Sequence, residues 1–188
     1  MTVRVMLVAP VIGSELRTAR FGDDGPPDEA ALAAARTAAC ALPAPARAFT
    51  SPAPRCRRTA EALGLGAEPA PHLADLDVGA WRGRSLDEVA ATDPAALAAW
   101  MSDPAAAPHG GESVAALVTR VGGWLDGWAG DAGRVLVVAE PAVVRAAVVH
   151  ALGLPPAVFW RLDVRPLSVT ELSGRAGRWN LRCGRELG

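Results

Sequence analysis

The sequence predicts one α/β domain spanning residues 1–188, a three-layer α/β/α sandwich on a mostly parallel mixed sheet. Three observations carry this. Short apolar runs rich in β-branched residues alternate with longer segments of helical spacing along the whole chain. Strands separated by helices pair in parallel and take helices on both faces. The chain has 188 residues, 51% of them hydrophobic, the natural size of one domain with one core.

The elements follow in order. Arg4 to Ala9 reads as an apolar strand. Asp28 to Leu42 is Ala-rich with helical spacing, opened by Asp28 as a cap and closed by Pro43. Arg47 to Thr50 is a short strand, and Ala53 to Leu63 is a helix ended by Gly64. Ser85 to Val89 makes one or two helical turns, and Pro94 to Met101 another helix. Glu112 to Trp128 places Val114, Leu117, Val118, Val121, Trp124, Leu125 and Trp128 on one amphipathic face. Arg134 to Ala139 is a buried strand, and Ala142 to Leu152 a helix stopped by Gly153-Leu154-Pro155-Pro156. Leu167 to Leu172 and Trp179 to Cys183 close the sheet around a turn at Ser173 to Gly177. Ligands of such sheets sit at the carboxyl ends of the strands, here Ala9-Pro10, Thr50-Ser51 and Ala139-Glu140.

Composition narrows the function classes. A formal charge of −1 gives no reason to expect nucleic acid or a membrane as partner. No apolar run approaches the roughly 18 residues a membrane span needs. Cys40, Cys56 and Cys183 make an odd count without a CxxC spacing, which reads as reduced thiols in a cytoplasmic protein. His72, His109 and His150 lie far apart and pair with no cysteine at ligand spacing, so no metal site is expected, and no cofactor is called for. All 19 basic residues are arginine and tyrosine is absent, which excludes a Schiff-base lysine, a P-loop lysine and a phenolic acid or base. The Ala, Arg, Gly and Pro content fits a high-GC genome, as in actinobacteria.

Five motifs fall in order along the chain. Ser51-Pro52-Ala53-Pro54-Arg55 runs on to Thr59-Ala60; Leu73-Ala74-Asp75 leads to Gly79-Ala80-Trp81-Arg82-Gly83; Pro108-His109-Gly110-Gly111-Glu112-Ser113 opens a helix. Val135 to Leu154 is a strand and helix, and Ser168 to Leu172 a late strand. This series resembles the histidine phosphatase, or phosphoglycerate mutase-like, superfamily over essentially the whole chain. The resemblance implies a phosphoglycerate mutase-like fold, Asp75 in the acid slot, and Arg55 and Arg145 as pocket arginines.

The departures bear on chemistry. Where the family reads LVRHGET, this chain reads Leu7-Val8-Ala9-Pro10-Val11-Ile12-Gly13, so Ala9 replaces an arginine and Pro10 the nucleophilic histidine. Where the second histidine follows the fourth strand, this chain has Glu140. Proline supplies neither a nucleophile nor an N–H. Losing a covalent nucleophile lowers kcat on the order of 10⁶ in enzymes built around one. A carboxylate about 4 Å from a phosphate charge is repelled by about 4 kcal/mol at an effective dielectric near 20. A dianionic phosphate is therefore a poor ligand, and a neutral, zwitterionic or monoanionic small polar molecule a better one.

Several residues have two readings. Glu140 and Asp75 can form an acid/base pair for a non-covalent isomerase, lyase or hydrolase reaction. Alternatively, Glu140 forms a salt bridge to Arg55 that holds the pocket shut, and Asp75 is a surface carboxylate. His109 sits in a loop able to overhang the pocket. Arg17 and Arg20 either reach its mouth or are solvated. Cys56 follows Arg55 near a helix N-terminus, where a thiol pKa can fall, or is a packed helix residue. The tryptophans read as core or interface. The expectations are thus a repurposed polar pocket with acid/base catalysis, a silent binding or scaffolding protein, or a residual phosphomonoesterase with an unusual nucleophile. A homodimer is compatible with each.

Overall fold

The computed structural model describes residues 1–12, 20–22, 25, 27–128 and 130–183. Arg17 lies outside them. Six strands form one sheet: β1 (Val3–Val8), β2 (Arg47–Thr50), β3 (Glu68–Pro69), β4 (Gly133–Val138), β5 (Val169–Arg175) and β6 (Arg178–Arg182). Their order is β3-β2-β4-β1-β5-β6. The pairs β1/β4, β2/β4 and β2/β3 are parallel, and β1/β5 and β5/β6 antiparallel. This is the mostly parallel mixed α/β sheet that the alternating pattern predicts.

Alternation along the central strands feeds two cores, because successive side chains point to opposite faces. Val5, Leu7, Val135 and Val137 join the larger cluster, with Leu117, Val121 and Leu125 from α5 (Val114–Asp126) and Val143, Ala146 and Ala147 from α6 (Pro141–Ala151). Met6, Val8, Leu136 and Val138 join the other, with Leu32 and Ala35 from α1 (Glu29–Ala38) and Cys56 and Ala60 from α2 (Pro54–Ala62). These are the two outer layers of the sandwich. Two further helices, α3 (Leu86–Thr92) and α4 (Pro94–Ser102), lie between β3 and α5 in the chain. Among the described residues no helix is long and apolar enough to cross a membrane.

Several elements differ from the sequence reading. The turn after β5 shrinks to Ala176-Gly177, both at positive φ (50° and 74°), as a two-residue hairpin matching strand twist requires. The first helix becomes a 3-10 turn at Ala39–Ala41 before Pro43. Strand β3 and the 3-10 segment Pro156–Arg161 carried no periodic signal, being too short or too irregular to show one.

Candidate active site

The sheet delivers the expected segments to one edge. Ser51 donates its N–H to Val138 O (2.8 Å), and Ala139 donates to Val8 O (3.1 Å), which locks the ends of β2, β4 and β1 side by side. The chain after β1 is pinned twice more. Ala9 N donates to Ser168 O (3.1 Å) and Val11 N to Thr59 Oγ1 (3.3 Å). Helix α2 starts with Pro54 in its first turn, where proline's missing N–H and fixed φ suit a helix start, and Ser51 Oγ accepts from Ala53 N (3.3 Å). Arg55 therefore leaves the first turn of α2 beside those strand ends.

Glu140 occupies the N-cap position of α6, ahead of Pro141, yet its side chain makes no capping bond. It turns instead to Arg55. Arg55 Nε donates to Glu140 Oε1 at 3.2 Å, and Arg55 Nη2 to Oε2 in a still shorter contact. Cys56 Sγ donates to the same Oε1 at 3.3 Å. The pair is buried, with side-chain exposures of 10% and 3%. Burial pulls the Arg55 pKa down, but the hydrogen bond and charge of Glu140 outweigh it, so the net shift is upward and the cation is secure. For Cys56, burial and the Glu140 charge both push the thiol pKa up, and the residue is fully buried. That environment opposes thiolate formation.

Beside the pair lies a cavity of about 300 Å³. Ala9, Pro10, Val11 and Ile12 line it after β1, and Arg55 from α2. Pro141 and Arg145 contribute from α6, and Val164 and Pro166 from the connection to β5. Arg145 does not meet Glu140. Its Nε donates to Leu162 O at 2.7 Å, and its Cζ lies 5.8 Å from the centre of the Phe159 ring. Burial lowers its pKa, which Asp163 and Asp75 partly oppose. Asp75, partly buried, is close enough for its charge to act on Arg55, Cys56 and Arg145. Glu140 is therefore neither unpaired nor locked between two arginines, and the cavity stays open.

The remaining sequence candidates lie elsewhere. His109 does not line the cavity. It is 3% exposed, its ring 5.0 Å from that of Trp81 and 6.1 Å from that of Trp100. Its Nδ1 accepts from Gly111 N at 3.0 Å, its Nε2 has no hydrogen-bond partner, and burial lowers its pKa against the opposing charge of Asp77. The backbones around it come too close for a side chain. A Cβ on Gly79 would lie 2.2 Å from His109 O, and one on Gly111 2.1 Å from Asp77 O. That pulls the loop into the aromatic cluster instead of over the pocket. Arg20 does not reach the cavity either: Nη1 donates to Gly83 O (2.8 Å) and to Glu88 (3.4 Å), at a bridge to Ser85. His72 is exposed in a 3-10 turn, and His150 pairs with Asp126 at 2.9 Å. None of the three histidines lines the cavity.

Two contributors escaped the sequence reading. Arg120 clamps the segment that carries Asp75: Nη1 donates to His72 O (2.8 Å) and Ala74 O (3.0 Å), while Nε and Nη2 grip Glu112 at 2.9 and 2.6 Å. Glu112 lies just before the Ser113 cap and Arg120 inside α5, and an acid ahead of a helix start with an arginine about two turns on was the available signal. The other is the stretch carrying Leu162, Val164 and Pro166, which has no periodicity to read.

Comparison with known proteins places this geometry. The chain matches the histidine phosphatase superfamily (branch 1) over residues 21–185. It belongs to that superfamily. As a superfamily member it is 37% identical over 94 residues to glucosyl-3-phosphoglycerate phosphatase of Mycolicibacterium vanbaalenii, over 44% of this chain and 41% of that protein. It is 33% identical over 118 residues to a bifunctional protein of Mycobacterium tuberculosis, over 60% of this chain and 32% of that protein. The matches thus span less than half the length of these curated relatives. Among solved structures, mycobacterial glucosyl-3-phosphoglycerate phosphatase superposes with a TM-score of 0.83 at 25% identity, covering 96% of this chain and 97% of that one. YhfR of Bacillus stearothermophilus superposes with a TM-score of 0.86 at 21% identity, covering 95% of each chain, a likeness of fold. The phosphoglycerate mutase-like architecture follows.

Proposed function

We propose that this histidine phosphatase-fold protein binds a small polar molecule carrying at most one negative charge, and does not transfer phosphoryl groups through a phosphohistidine. The observation that carries this reading is the buried Arg55–Glu140 pair at the edge of the cavity. A carboxylate in that place cancels the cation a phosphate would use and repels a dianion. Pro10 on the cavity wall offers no nucleophile. Because both Glu140 oxygens are engaged, the pair favours binding over acid/base catalysis by Glu140 with Asp75. A proton shuttle there would have to break a buried ion pair on each cycle.

The family relatives favour a second reading, a phosphatase acting on a substrate such as the glucosyl-3-phosphoglycerate in their names. One experiment separates the two. The purified protein is assayed against p-nitrophenyl phosphate and glucosyl-3-phosphoglycerate beside a folded Arg55→Ala variant. The expected result is no turnover above that of the variant. Turnover that Arg55→Ala abolishes establishes the phosphatase. In the opposite direction, combined Ala9→Arg, Pro10→His and Glu140→His substitutions are expected to create phosphatase activity.

A further inference from the structure

The two arginines of the cavity differ in what they have left to give. Arg55 spends Nε and Nη2 on Glu140. Arg145 spends only Nε, on Leu162 O, and its Nη1 and Nη2 donate to nothing among the described residues. That bond and the adjacent Phe159 ring fix the guanidinium plane. A fixed plane with two spare donors matches one carboxylate in a bidentate fork. Burial lowers the pKa of Arg145, so its charge is poorly solvated where it stands.

The rest of the wall has little to offer an anion. Pro10, Pro141 and Pro166 have no N–H. The N–H groups of Ala9 and Val11 are already spent on Ser168 and Thr59. The surfaces of Val11, Ile12 and Val164 are hydrocarbon. Arg55 and Glu140 cancel, which leaves, among the described residues, a single positive charge on the wall, with Asp75 and Asp163 acting against any higher anion. A volume of about 300 Å³ is at the small end of ligand sites.

We infer that the cavity binds a small monocarboxylate with an apolar body, the carboxylate forked by Arg145 and the body resting on Pro10, Val11, Ile12 and Val164. This rests on the reading that the site excludes phosphate dianions. Arg145 fixes orientation and charge sign, and the proline, valine and isoleucine surfaces receive the hydrocarbon.

The test is calorimetric titration of the whole protein with benzoate, uncharged benzamide and inorganic phosphate, with Arg145→Gln and Ile12→Asp beside the wild type. Benzoate is expected to bind saturably and at least about tenfold more tightly than benzamide, and Arg145→Gln to erase that preference. Ile12 is 41% exposed at the cavity, so Ile12→Asp tests the same charge selection without disturbing the core. It is expected to weaken benzoate more than benzamide. Equal binding of benzoate and benzamide, no saturable benzoate binding, or benzoate binding indifferent to both substitutions overturns this inference and leaves the exclusion of phosphate standing. Phosphate binding more tightly than benzoate overturns both.

Discussion

Two Arg–Glu pairs of the same geometry hold different parts of this molecule. Arg55–Glu140 joins the start of α2 to the start of α6 at the cavity, with side-chain exposures of 10% and 3%. Arg120–Glu112 joins α5 to the segment just before its Ser113 cap, with exposures of 24% and 17%. The second pair has spare donors and uses them on the carbonyls of His72 and Ala74, so it fixes a loop. Among the described residues the side chains of the first hydrogen-bond each other and the Cys56 thiol, with the charge of Asp75 nearby, so that pair fixes a charge balance. An identical chemical couple is a brace where water reaches it and a neutraliser where water does not, because the desolvation of each ion sets what its partner must supply.

The largest expected difference is in stability. Glu140→Ala strands a buried guanidinium and is expected to lose about 3–5 kcal/mol in urea unfolding. The Arg55→Met, Glu140→Leu double variant is expected to recover most of that loss, since replacing both ions by hydrocarbon removes the unpaired charge. Arg120→Ala is expected to lose less, about 1–3 kcal/mol, because water can reach the carbonyls it leaves. Equal losses at the two sites would erase the distinction between brace and neutraliser.

A smaller effect sharpens the electrostatic half of the comparison. Glu140→Gln leaves Arg55 uncancelled and is expected to raise inorganic phosphate affinity about tenfold in titration calorimetry. Glu112→Gln is expected to leave it unchanged. A rise in both would show that net charge, not the pocket pair, governs anion binding. The smallest effect concerns His109, in the loop between α4 and α5. Burial holds the His109 pKa below its ordinary value, so the unfolded chain binds the proton more readily. The stability contributed by the neutral ring is complete above about pH 6.5 and is lost as the pH falls from there toward the folded-state pKa. His109→Gln, which keeps an acceptor for Gly111 N–H, is expected to flatten that acid limb in thermal melts; an unchanged limb assigns it to other groups.

Much of the fold was legible because its signals are local. Alternating β-branched runs, the cap Asp28 and the helix stops at Gly64 and Gly153 each act within a few residues. Of the candidate site, Arg55 and Arg145 were implied by the family resemblance, and both line the cavity. His109 and Arg20 carried similar promise and line a different region, because their neighbours claimed them. Gly79 and Gly111 let two loops approach until His109 turns into the tryptophans, and Glu88 and Gly83 hold Arg20. Arg120 and the Leu162-to-Pro166 stretch went unread because their roles are contacts across the chain.

The sequence by itself determined the order of strands and helices, the membership of the motif series, and the proline and carboxylate at two strand ends. These are properties of residues and of their immediate neighbours. Only the tertiary structure decided which arginine Glu140 pairs with, that Arg145 spends only its Nε among the described residues, and that Cys56 is sealed in the core. Those outcomes turn on hydrogen bonds of 3.3 Å or less between separate segments of the chain, and on burial that no local pattern encodes.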